Sequence, residues 1–81
     1  MVRITDVEER SYAEKNGIKP GDILVSINEN EITDVLDYRF YLSEKKVLLK
    51  LLRDGEEYTV TIKKGEYDDI GLGFETPLMD E

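Results

Sequence analysis

The chain has 81 residues, 40% of them hydrophobic, which is enough for one modest core and not for two. Cysteine and histidine are both absent, which removes disulfides, thiolate and imidazole metal ligands, the cysteine nucleophile and the commonest general base. With 19 acidic against 11 basic residues the net charge is -8, the wrong sign for a partner such as nucleic acid or an anionic membrane.

In chain order, Val2 and Ile4 alternate with Arg3 and Thr5 before Val7, the period of a half-buried strand. This opening lacks the apolar stretch of a secretory signal, and no apolar run approaches the roughly 20 residues that span a bilayer, so a cytoplasmic location is expected. Ser11 stands three residues before Glu14, the spacing of a capping box, which predicts a short helix over 12–16. Gly17 ends it by taking positive φ, and Ile18 folds back over the last turn. Lys19-Pro20-Gly21-Asp22 then supplies a type II turn, with proline at its first corner and glycine at its second.

Ile23 to Ile27 is nearly continuous in apolar residues and predicts a central strand that anchors the core. Asn28-Glu29-Asn30 reads as a reverse turn, and Glu31-Ile32 as a two-residue returning strand. Thr33 or Asp34 caps a helix over Val35 to Ser43, whose apolar residues Val35, Leu36, Tyr38, Phe40, Tyr41 and Leu42 cover more than one stripe. Two accounts fit: a wide core stripe, or a groove lined by Val35, Tyr38, Arg39 and Leu42. Val47 to Leu52 and Tyr58 to Lys63 form a hairpin around Asp54-Gly55, with Tyr58, Val60 and Ile62 on one face.

A polar loop, Lys64 to Asp69, leads into Ile70-Gly71-Leu72-Gly73-Phe74-Glu75. Two glycines bracketing a leucine let successive backbone N–H groups point into one concavity, an anion-binding nest, or else make only a tight turn. If Phe74 to Thr76 is an open strand edge, an extended peptide adds to it as a further strand. The acidic pairs Asp68-Asp69 and Glu56-Glu57 are the remaining candidates for catalysis, but adjacent loop acids ordinarily form a solvated face, and the 12-residue calcium-loop pattern is absent. The chain alone is expected to be neither an enzyme nor a binder of cofactor or metal. The element order suits an α+β domain, residues 1–81, in which two helices close a small curved sheet.

Ser11-Tyr12-Ala13-Glu14-Lys15-Asn16-Gly17-Ile18-Lys19-Pro20-Gly21-Asp22-Ile23-Leu24-Val25-Ser26-Ile27-Asn28 resembles the helix, turn and strand of bacterial PDZ domains. Gly71-Leu72-Gly73-Phe74 resembles their carboxylate-binding loop, here near the end of the chain. The resemblance implies a circularly permuted PDZ-like fold, a small curved antiparallel sheet or partial barrel of about five to six strands capped by two helices. It makes Tyr58 to Lys63 the strand entering the loop and Val2 to Val7 the neighbour of the groove edge.

It also implies roles. The amides of Leu72, Gly73 and Phe74 would take a peptide's terminal carboxylate, and Phe74, Glu75 and Thr76 would pair with its last residues. Leu72, Phe74 and Leu42 would wall the final side-chain pocket. Val35 and Tyr38 would meet the side chain two residues upstream. Lys63 or Lys64 would be the basic residue near the carboxylate. The expected partner is a protein C-terminus or extended segment, of another protein or of the same polypeptide, bound by a monomer. A narrower likeness joins Ile32 to Phe40 and Gly71 to Asp80 to the PDZ-like start of bacterial radical-SAM-like iron–sulfur proteins. It implies an excised amino-terminal module, and an alternative role as a structural or docking domain with no free ligand.

Overall fold

The computed structural model describes residues 1–75. Its elements are β1 (Val2–Val7), α1 (Tyr12–Lys15), β2 (Ile23–Ile27), β3 (Asn30–Glu31), α2 (Val35–Tyr41), β4 (Lys46–Arg53), β5 (Glu56–Lys63) and β6 (Leu72–Phe74). The antiparallel sheet runs β5-β4-β2-β1-β6, with β3 beside β2. It is the six-stranded, two-helix α+β architecture expected of a PDZ-like domain, in which the first and last strands of the chain lie side by side.

Each local signal acts through a visible bond. The Ser11 hydroxyl accepts from the Glu14 amide at 3.1 Å. The Glu14 carboxylate reaches back one residue further than a standard capping box, to the Arg10 amide at 2.8 Å, because Arg10 turns to φ 63. Gly17, at φ 84, lets the Ile18 amide bond Ala13 O at 3.1 Å and drops the Ile18 side chain into the core. The Pro20-Gly21 turn closes with Asp22 N–H on Lys19 O at 3.1 Å, and it is stitched to β1 by Gly21 N–H to Ile4 O and Ile4 N–H to Asp22 O, each 2.8 Å.

The turn after β2 is tighter than the sequence indicates. Asn28 and Glu29 both take positive φ, 50° and 70°, so β3 begins at Asn30, one residue early. Ile32 is thereby freed from the strand and buried completely, its amide bonded to Val25 O. The Asn28 side chain substitutes for a strand residue by accepting the Leu48 amide at 2.8 Å. In the β4–β5 hairpin, Asp54 and Gly55 supply the pair of positive φ values that a two-residue loop requires.

The core gathers Ile4, Leu24, Ile27, Ile32, Val47, Leu49, Leu51, Ile62 and Ile70, all essentially solvent-free. Helix α2 ends at Tyr41, two residues before the predicted end, and Asp34 is its cap, accepting the Asp37 amide at 2.9 Å. Tyr38 and Leu42 are buried, whereas Leu36 and Phe40 are 74% and 71% exposed, so the apolar excess of this helix divides between two faces.

Candidate functional site

Strand β6 ends the sheet on one side, opposite β5, and α2 lies across from it. Between them runs a cleft of about 360 Å³ lined by Val35, Tyr38, Arg39 and Leu42 on the helix side and Leu72, Gly73 and Phe74 on the strand side, with Tyr67 and Asp69 at one end. All four helix positions proposed from the sequence thus meet three of the glycine-loop positions. The predicted edge strand over 74–76 begins two residues earlier, at Leu72. Glu75 follows β6 and bonds Arg3 O through its amide at 3.1 Å, and Thr76 lies outside the described residues. A wider hollow of about 580 Å³ at Val25, Ser26, Leu48, Lys50 and Thr59 lies over β2, β4 and β5, away from the glycine pair.

The direction of each backbone group follows from the β1–β6 register. Ile4 faces Phe74 and Val7 faces Leu72, and the bonds flanking these pairs are Glu75 N–H to Arg3 O and Glu8 N–H to Gly71 O. Both are therefore non-hydrogen-bonded pairs, in which Leu72 and Phe74 turn their own N–H and C=O away from β1, towards the cleft. Gly73 turns towards β1 instead. Of the three amides assigned to carboxylate capture, two face the cleft.

The loop before β6 is tightly held. Ile70 O accepts the Ala13 amide at 3.0 Å, and Gly71, at φ 93, packs so closely on the cap of α1 that a Cβ there would lie 2.4 Å from Ser11 Cβ. Glycine is required at this position by both torsion and space.

Tyr38 reaches from α2 to this loop. Its ring meets the Phe74 ring edge-on at 4.6 Å, and its hydroxyl donates to Asp69 Oδ1 at 3.1 Å. The same carboxylate oxygen accepts the Gly71 amide at 3.3 Å. Burial first, then the Asp69 charge and hydrogen bond, push the Tyr38 phenol far above its ordinary range, so it remains a neutral donor.

Lys64, a candidate for the basic residue, is instead 8% exposed and spends its ammonium on Gly65 O and Glu66 O at 3.0 and 3.1 Å. Lys63 is paired across the hairpin with Lys46. Asp68 and Asp69 work separately: Asp68 Oδ2 accepts Tyr12 Oη and the Gly65 amide, while Asp69 serves the cleft. Among the described residues no group of three or more acidic side chains is placed to hold a metal ion. The sequence reading passed over Asp69 as a site residue, although its position two residues before Gly71 was the available signal.

Residues 3–53 match a family model described as a PDZ domain, a stretch that ends before the glycine pair. Over 79 residues, 93% of this chain, the sequence is 32% identical to the probable periplasmic serine protease do/HhoA-like of Haemophilus influenzae, of which it covers 17%. It is 34% identical over 67 residues, 76% of this chain, to the serine protease HtrA-like of Staphylococcus epidermidis, of which it covers 12%. The chain thus spans less than a fifth of the length of these relatives. In three dimensions it is similar to the PDZ domain of the SdrC-like protein of Listeria monocytogenes, with a TM-score of 0.76 at 16% identity over 90% of this chain and 85% of that one, a likeness of fold.

Proposed function

The chain belongs to the PDZ family, a family of protein-interaction modules, and from that premise we propose that it captures an extended peptide segment by strand addition between β6 and α2. The observation that carries this reading is the outward-facing backbone of Leu72 and Phe74 at a free sheet edge, opposite Val35, Arg39 and Leu42. An added strand satisfies those groups, and side chains at alternate ligand positions enter the cleft. Because β6 is only three residues long, few main-chain bonds offset the ordering of a flexible ligand, and affinity is expected on the order of micromolar or weaker.

The chain is a binding module and no catalyst in this reading. It has no histidine, so the hydrolytic chemistry named in its relatives has no histidine base within these 81 residues. A second reading, docking onto another part of the same polypeptide, is favoured by the small share of each relative that the chain covers. Those relatives carry serine-protease names, so an iron–sulfur parent draws no support from them and rests on the resemblance of residues 32–40 and 71–80 alone. Amide chemical-shift titration with libraries of free and amidated peptides tests capture. Shifts concentrated at 72–74 and 35–42 are expected, and silence there across all peptides would favour the docking role.

A further inference from the structure

The end of the cleft where family resemblance puts a ligand carboxylate already contains one. Asp69 Oδ1 takes the Gly71 amide at 3.3 Å and the Tyr38 hydroxyl at 3.1 Å. Gly73 faces β1. Of the N–H groups from Gly71 to Phe74, those of Leu72 and Phe74 face the cleft. The nearby lysine, Lys64, has given its ammonium to the carbonyls of its own loop. A free peptide terminus reaching the Leu72 and Phe74 amides meets the like charge of Asp69 beside them, which disfavours it.

What the site offers is an acceptor. Asp69 is exposed, and its second oxygen, Oδ2, has no hydrogen-bond partner among the described residues. The other charge lining the cleft is Arg39, whose influence at the Tyr38 hydroxyl is weaker than that of Asp69. The molecule as a whole carries a net charge of -8, which favours cationic partners on approach.

We propose that Asp69, held by Tyr38 and Gly71, makes this end of the cleft a subsite for a lysine or arginine side chain of an internal extended segment, and that its charge disfavours a free carboxyl terminus there. The inference rests on strand addition at β6 and specifies its ligand. A segment running through the cleft pairs with Phe74, places apolar side chains against Val35 and Leu42, and sets its basic side chain on Asp69 Oδ2. Charge-assisted hydrogen bonding at that oxygen supplies selectivity that a three-residue edge cannot.

The test is amide chemical-shift titration of the labelled 81-residue chain with three short valine–threonine peptides. One ends in a free carboxylate and lacks basic residues; one is capped at both ends with a central lysine; one is capped with norleucine replacing the lysine. The lysine peptide is expected to shift residues 35–42 and 72–74 and to bind about tenfold more tightly than either of the others. In Asp69→Asn the ratio of lysine-peptide to norleucine-peptide affinity is expected to fall to about one. Tightest binding by the carboxylate peptide, or equal binding by the lysine and norleucine peptides, overturns the cationic subsite and leaves strand addition standing. Shifts at these residues with none of the peptides overturn both.

Discussion

Arg53 grips Asp22 as a fork, with Nε on Oδ1 at 2.8 Å and Nη2 on Oδ2 at 2.7 Å, and the carboxyl it holds is only 2% exposed. The same guanidinium donates to Gly17 O at 2.7 Å and lies 4.9 Å over the Tyr58 ring, so one cluster ties the end of α1 and the Pro20-Gly21 turn to both strands of the hairpin. Burial alone would raise the Asp22 pKa, but hydrogen bonds from Arg53, Tyr58 and the Lys19 amide outweigh it and hold the group at about 2, against an ordinary 3.8. A depressed folded-state pKa stabilises the fold above the unfolded value, and this contribution is lost as pH falls from about 4 to about 2. We expect Asp22→Asn to cost about 2 kcal/mol at neutral pH and to flatten the acid limb of a urea-denaturation series. At the alkaline end, burial and then Asp22 push Tyr58 to about 12 from 10.0. The preference for neutral Tyr58 stabilises the fold below pH 10 and is lost as pH rises from about 10 to about 12.

Gly71 and Gly73 respond differently to alanine. At Gly71 the backbone has φ 93 and the added Cβ meets Ser11 Cβ at 2.4 Å, so the cap of α1 must shift to admit it. Gly73 has ordinary torsion, and its Cβ would stand 3.1 Å from Asp6 Cβ, a contact that a small movement relieves. Gly71→Ala should therefore cost about 2 kcal/mol or more and Gly73→Ala about 1 kcal/mol or less by chemical denaturation.

The sequence exposes everything that depends on neighbours in the chain. Ser11 with Glu14, Gly17 with Ile18, and Asp54 with Gly55 each encode an element through a bond spanning a few residues, and their elements stand within a residue or two of expectation. The cleft is legible as well, because helical spacing places Val35, Tyr38, Arg39 and Leu42 along one side. What escapes is pairing at long range. Nothing local sends Arg53 to Asp22, 31 residues away, or Tyr38 to Asp69, also 31 residues away. Such polar contacts are decided by register and burial, which exist only once the sheet has formed.

The two apolar faces of α2 separate stability from surface chemistry. Leu36 and Phe40 project into solvent, so Leu36→Lys or Phe40→Ser should change stability by no more than about 0.5 kcal/mol. Tyr38 is 4% exposed and loses both its ring contact with Phe74 and its bond to Asp69 on truncation. Tyr38→Ala should cost about 3 kcal/mol, measurable by the same denaturation midpoints.

Strand addition makes a prediction about the ligand's own backbone that side-chain docking does not. Leu72 and Phe74 point their main-chain groups at the cleft, and Gly73 between them points at β1. Phe74 thus offers an added strand both a donor and an acceptor. A ligand strand must exchange both bonds with that residue, and its neighbours in sequence turn their amides to solvent. N-methylation of the ligand residue opposite Phe74 should therefore weaken binding about tenfold or more, while N-methylation one position to either side leaves it nearly unchanged. Replacing the Phe74 amide by an ester in semisynthetic protein removes the same donor from the other side and should weaken the unmodified ligand similarly. Methylated ligand bound to ester protein should lose little more, because the bond is already gone. Equal losses at successive ligand positions would mean that the peptide is held by its side chains and that β6 is only a wall of the cleft.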